Sequence, residues 1–352
     1  MKKFTTEKIL YIASAGFFVL GIAILAWWLW PSGGDMEGGE IVEVPTQVQE
    51  ETICENKYLL SGVCLEEGEE NRDDLIAIMI ENHYEARPLS GIGKASLVYE
   101  APVEGNINRF MAIFEKGSEV EKAGPVRSAR PYYLDWLSEY DGAMYMHVGG
   151  SPEALEKIPQ FGIFDMNEFF RSWYFWRSKD RYAPHNTYTS SDLWAKAYEK
   201  YGEKETEITS WAFAEDLEGF TTSTANRVEV NYYKPTYSSY WTFNSSTMQY
   251  ERHEDRKQHL DREGNAVVAD TLIIQKMSSQ VLDNKGRLRV DTLGFGEAVI
   301  IRDGVMVEGK WQKEERISRT RFFDAEGNEI PLKPGKIWVS VLGTGHEFVV
   351  GE

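Results

Sequence analysis

SLVYEAPVEGNINRFMAIFEKG, Ser96 to Gly117, contains two runs of strand length, SLVYEAPVE and INRFMAIFEKG. Both are rich in Val, Ile, Phe and Tyr, and both read as β-strands. Upstream, LIAIMIEN (Leu75–Asn82) reads as a third. Downstream the period changes: in GPVRSARPYYLDW (Gly124–Trp136) and beyond, Leu134, Leu137 and Tyr140 recur at helical spacing. Pro131 suits the first turn of a helix, the residue before a proline avoids helical angles, and so Arg130 is expected at the N-cap or as the last loop residue, with Gly142 as a stop.

The same alternation continues. AMYMHVG is a strand, and SPEALEKI is a helix with Ser151 as cap and Pro152 at its first position. SSDLWAKAYEKYG is a helix capped by Ser190 or Ser191 and ended by Gly202. Beyond about Asn226 helical spacing disappears and short alternating runs are punctuated by turns. AVIIRDGVMVEGKW is a hairpin signal, because Asp303-Gly304 supplies positive φ angles, and RFFDAEGNEIPL repeats the device around Gly327-Asn328. Mixed order without strict alternation predicts an α+β fold. The expected plan is a mixed α/β-sandwich domain over residues 75–220 and a β-rich domain over 226–352, joined through the polar stretch FTTSTANR.

The chain has 352 residues, enough for a membrane segment and two domains, and a formal net charge of -18. That charge argues against a nucleic-acid binder, which would present a basic face. Ile9–Trp30 is an uninterrupted apolar run behind Lys2, Lys3 and Lys8, long enough to span a bilayer. Positive residues stay inside, so residues 1–8 are expected in the cytoplasm, 9–30 in the membrane as a single-pass anchor and the body outside the cell membrane. Residues 31–74 carry 13 acidic side chains against Lys57 and Arg72, the composition of a stalk. Within it Cys54 and Cys64, the only cysteines, are placed to pair as a disulfide in an oxidising compartment.

Polar groups gather at strand ends and loops between Asn82 and Asn186, where sites tend to be built. YEAPVEGNINRF offers Glu100, Glu104, Asn106 and Arg109; GPVRSAR offers Arg127, Ser128 and Arg130; HVGGSP offers His147; APHN offers His185 and Asn186. These ten residues form the candidate ligand-binding set, with Glu104, His147 and His185 as candidate acid–base groups. No cofactor motif or metal-ligand spacing is evident, and HEDRKQH, with His253 and His259, reads as a solvated loop.

The motifs EARP, VYEAPVEGNINRFMAIF, GPVRSAR, HVGGSP and APHN resemble the YerB-like family of bacterial envelope proteins of unknown function. The resemblance extends less specifically through GKW and DAEGNEIPLKPGKIWV. It implies an α+β N-terminal domain, a β-rich C-terminal domain and an extracytoplasmic location, and no established reaction. Members are often lipoproteins, whereas this chain has no lipobox cysteine after its apolar run; a transmembrane anchor would stand in place of the lipid.

Three functions compete. Arg109, Arg127 and Arg130 could grip an anionic envelope glycan or phosphate through guanidinium forks. Glu104 with His147 or His185 could process a glycan by acid–base catalysis. Or Arg127 and Arg130 could pair internally with Glu100 and Glu104 in a structural scaffold. The aromatic segment FFRSWYFWRSKDRY could stack on a sugar ring or belong to a core or partner surface.

Overall fold

The computed structural model describes residues 56–66, 74–202 and 208–351. The expected N-terminus (1–8), anchor (9–30), most of the stalk (31–74) and Cys54 lie outside these residues. Cys64 is described and forms an isolated β-bridge with Lys57. Among the described residues no helix is long and apolar enough to cross a membrane.

The three runs read first are β1 (Leu75–Glu81), β2 (Leu97–Val103) and β3 (Ile107–Glu115). β3 lies between the other two and is antiparallel to both. α1 (Pro131–Leu137) follows with Arg130 at its N-cap, then β4 (Met144–His147), α2 (Pro152–Gln160) and β5 (Phe164–Asn167). β4 runs parallel to β1, and β5 parallel to β4. α3 (Ser191–Tyr201) ends at Gly202, which has a positive φ of 79°.

The second region supplies β6 (Arg227–Asn231), β7 (Ser239–Asn244), β8 (Gln249–Glu254), β9 (Thr271–Lys276), β10 (Gly294–Arg302), β11 (Val305–Lys313), β12 (Arg321–Phe323), β13 (Ile337–Leu342) and β14 (Glu347–Gly351). The β10–β11 hairpin turns at Asp303 (φ 53°) and Gly304 (φ 78°), as the Asp-Gly pair requires. An eleven-stranded mixed sheet runs β12-β11-β10-β9-β13-β2-β3-β1-β4-β5, with Ser223–Thr224 beside β11. The second sheet, β8-β7-β6-β14 with two short flanking strands, has six. Two regions separate in sequence therefore share one sheet, because β2 of the first pairs in parallel with β13 of the second, Leu97 opposite Ile337 and Glu100 opposite Ser340.

β1 shows why its sequence is apolar without alternation. Ile76, Ile78 and Ile80 enter a core with Trp194 and Ala197 of α3 and with Val228, Trp241 and Tyr250 of the smaller sheet. Leu75, Ala77 and Met79 enter the opposite core with Tyr133, Trp136 and Leu137 of α1 and Ile158 of α2. A strand covered on both faces is apolar at every position.

HEDRKQH forms the expected exposed loop only at its centre, Asp255–Gln258; its two ends and the residue before it are drawn inward. Arg252 is fully buried, Glu254 and His259 nearly so, and His253 stacks on Tyr240. β8 faces the smaller sheet's contact with β2, and its charged residues there meet partners instead of water.

Candidate functional site

β1, β4 and β5 are parallel, so their C-terminal ends, at Glu81, His147 and Asn167, come to one edge of the sheet. In sheets of this kind, ligands characteristically meet the carboxyl ends of strands. Three loops converge there: Gly124–Arg130, Val148–Ser151 and Glu168–Asn186. Asn167 ties two of them together, its Oδ1 accepting from the amides of Gly149 (3.0 Å) and Phe169 (3.2 Å). The third loop is tied to β1, because the Arg127 amide donates to the Met79 carbonyl.

Glu81 is the hub, and the sequence reading missed it because it ends an apolar strand and carries no motif of its own. Its Oε2 lies 2.8 Å from His185 Nδ1 and 3.3 Å from Arg127 Nε, while Oε1 is buried without a hydrogen-bond partner among the described residues. Burial pushes its carboxyl above the ordinary value, outweighing the opposing pull of Arg127 and His185. His185 Nε2 continues to Glu85 Oε2 at 3.4 Å, and its ring stacks on His83 with centroids 4.9 Å apart.

Arg130 is held by a fork of hydrogen bonds on Glu104, Nε to Oε1 at 2.7 Å and Nη2 to Oε2 at 2.7 Å. Burial alone would raise the Glu104 carboxyl, but these bonds and the guanidinium charge hold it below its usual value. Arg109 differs. It is 8% exposed, it donates from Nη1 to the Ser128 carbonyl at 2.6 Å, and among the described residues no carboxylate lies within ion-pair distance of it. Burial, reinforced by the Arg130 charge, lowers its pKa to about 10. Arg109, Arg127 and Arg130 thus face two carboxylates, Glu81 and Glu104, and Arg109 is the cation left over.

The expected pairing of Arg127 and Arg130 with Glu100 and Glu104 is half corrected. Arg127 pairs with Glu81, while Glu100 points to the opposite side of the sheet, fully buried. Arg252 Nη2 reaches it at 3.1 Å, Trp338 Nε1 donates at 3.0 Å, and Asn108 donates as well. The reason is the alternation of β2, which sends Glu100 toward the core shared with the smaller sheet. Arg252 also pairs with Glu254, which Arg87 approaches at 3.4 Å. This second network joins the two regions of the chain.

The remaining candidates are distributed as follows. His147 is fully buried, with Nδ1 2.7 Å from the Gly149 carbonyl and Nε2 2.7 Å from Asp165 Oδ1. Asn186 Oδ1 accepts from Arg177, which also pairs with Glu168 and closes the long loop on itself. Asn106 sits in the exposed β2–β3 turn at φ 56°. Ser128 contributes its carbonyl, and Ser151 caps α2.

The long loop exposes Phe169, Phe170, Trp173 and Tyr182 at 65%, 71%, 61% and 90%. Four large aromatics at that exposure on one segment exceed the scattered apolar residues of an ordinary surface. A separate apolar groove of about 560 Å³, lined by Trp194, Tyr198 and Lys116, lies between α3 and the turn after β3, away from this edge.

Residues 60–204 match the family described as protein of unknown function (DUF3048) N-terminal domain, and residues 228–339 match its C-terminal domain. The chain is 31% identical over 272 residues to the protein named "Putative lipoprotein YerB" of Bacillus subtilis (strain 168), covering 76% of this chain and 80% of that protein. It is also similar to the crystal structure of the YerB protein from Bacillus subtilis, with a TM-score of 0.72 and 29% identity over 84% of this chain and 99% of that one. The sheet shared by both matched regions and the relative that spans both lead to one assignment: the chain belongs to the two-domain DUF3048 family.

Proposed function

We propose that this chain is a membrane-tethered, extracytoplasmic binding module for an anionic glycan of the cell envelope, received at the edge formed by the ends of β1, β4 and β5. The observation that carries the reading is Arg109, a buried guanidinium with no carboxylate partner among the described residues, beside two arginines that have one each. A buried charge is costly unless compensated, and a phosphate or uronate oxygen would compensate it. The exposed aromatics of Glu168–Asn186 add faces on which sugar rings stack. The tether is supported by the apolar run Ile9–Trp30 behind three lysines and by a relative whose name describes a lipoprotein.

A glycan-processing enzyme draws less support. Glu104 is held in its ionised form by Arg130, which suits a partner more than a general acid, and His147 has both ring nitrogens engaged. The test is thermal shift of the full chain with phosphate-bearing and uronate-bearing oligosaccharides, against neutral ones of equal length. A specific anionic ligand raises Tm by an amount set by its concentration relative to its Kd. Arg109→Met should abolish that rise while costing no more than about 1.5 kcal/mol of stability, the scale of one lost hydrogen bond. Trp173→Ala should weaken binding with stability unchanged. Equal response to neutral and anionic glycans, or an unaltered response in Arg109→Met, would sink the reading.

A further inference from the structure

His83, Glu85 and His185 bring three donor atoms within 4.8 Å of one another. We infer that these three side chains form a site for a divalent transition-metal ion of the zinc class, with Glu81 as the carboxylate that orients His185. Glu85 Oε2 lies 3.6 Å from His83 Nδ1 and 3.4 Å from His185 Nε2. A tetrahedral ion with bonds of about 2.0–2.1 Å spaces its ligands about 3.4 Å apart. Two imidazoles and a carboxylate are the donor set that such ions favour, and three protein ligands leave a fourth position for water or a ligand oxygen.

Glu81 is the independent observation. Its Oε2 stands 2.8 Å from His185 Nδ1, placed to accept that nitrogen's proton, and in that tautomer Nε2 presents its lone pair toward Glu85. A carboxylate behind a histidine is the arrangement by which proteins fix a metal-binding tautomer. The side chain is 4% exposed and its Oε1 is buried without a hydrogen-bond partner among the described residues, so the internal contacts there leave half of the carboxylate unused.

Charge permits the ion. Arg127 and Arg87 lie nearby, but Arg127 is committed to Glu81 and Arg87 to Glu254, while among the described residues Glu85 is paired only through the two histidines. Binding requires one adjustment. The His83 and His185 rings are stacked with an interplanar angle of 18°, so His83 must turn about χ2 to bring its lone pair onto the same ion. That torsion is soft, and the turn releases a long hydrogen bond of 3.3 Å from the Glu85 amide. The site does not depend on the glycan reading, since metal uptake is measured without any glycan.

The test is titration of tag-free, metal-stripped full chain with Co²⁺, read by visible ligand-field absorption, followed by Zn²⁺ competition. One ion per chain with tetrahedral bands that Zn²⁺ abolishes is the expected result. Glu85→Gln, at the exposed rim, and His83→Gln, half-buried beside it, should each weaken uptake at least about tenfold, and Glu81→Gln about 10- to 100-fold. If His185→Gln fails to fold, the Glu85 and His83 variants decide. Absence of saturable uptake by the wild-type chain, or uptake unchanged in both of those variants, would overturn the assignment.

Discussion

Arg252 and Arg130 each pair with carboxylates, yet their surroundings give the pairs different worth. Arg252 is fully buried between Glu100 and Glu254, so removing it leaves Glu100 buried without a cation and Glu254 with Arg87 alone. Arg252→Met should destabilise the protein by about 3–5 kcal/mol. Arg130 and Glu104 have side chains 15% and 21% exposed, and solvent can partly replace the lost partner, so Arg130→Ala should cost only about 1–2 kcal/mol. Urea denaturation of both variants checks the order, and equal costs would contradict it. The same buried network makes the protein acid-sensitive. His259 Nδ1 lies 2.8 Å from Arg252 Nη1, with Glu254 and Arg87 as the other charges around it, and burial lowers its pKa to about 4. Below pH 6.5 the unfolded chain takes up a proton that the folded chain refuses, so stability falls as pH drops toward about 4, by about 3 kcal/mol in all. Glu254, held down to about 2 against its burial by Arg252, adds a further loss as pH falls from about 4.5. Glu100 works in the opposite sense, because burial pushes its carboxyl up. The His259 contribution is therefore read as a difference: His259→Gln keeps an acceptor for Arg252 and should flatten stability between pH 6.5 and 4 relative to the wild type. Parallel curves for the two proteins would refute this.

At the scale of elements, the loop edge is shaped by backbone as much as by charge. Gly149 has a φ of 59°, and a Cβ there would stand 2.8 Å from the Phe169 ring. Gly149→Ala should cost about 1–2 kcal/mol for the left-handed angle and displace the ring, so glycan binding should weaken more than Tm changes. A variant with unchanged glycan affinity would show that Phe169 takes no part. Much at this scale was legible in the sequence. The runs around Ser96–Gly117, the Pro131 and Pro152 helix starts, Gly202 and the Asp303-Gly304 turn all act through local stereochemistry, and all stand where their neighbours put them. Three things could not be read locally. Arg127 pairs with Glu81, 46 positions upstream, because β1 is adjacent to β3 and β4. Glu254 and His259, at the ends of HEDRKQH, are buried because β8 meets a partner from the other half of the chain. His83 and His185 are 102 positions apart, and no spacing rule joins them. A pattern in sequence reports which face a residue occupies; the partner it meets is decided by sheet order.

For the whole molecule, sheet order also decides what can fold alone. The two family regions meet at residues 204–228, which suggests two modules, yet the sheet crosses that boundary through β2 and β13. β13 is buried along its whole length and β2 likewise, so a chain ending near residue 220 would expose β2 as a long apolar edge, the kind of strand that folded proteins cover. It would also leave Glu100 without Arg252 and Trp338. The full chain should therefore unfold in a single cooperative transition above the stalk, with fluorescence of the tryptophans and far-ultraviolet circular dichroism changing together. Fragment 53–220 should aggregate or remain unfolded, and mixing it with fragment 221–352 should restore native circular dichroism if the seam is what each half lacks. Two separated transitions in the full chain, or a soluble and cooperatively folding 53–220, would mean that the parallel pairing of β2 with β13 joins two finished domains instead of completing one.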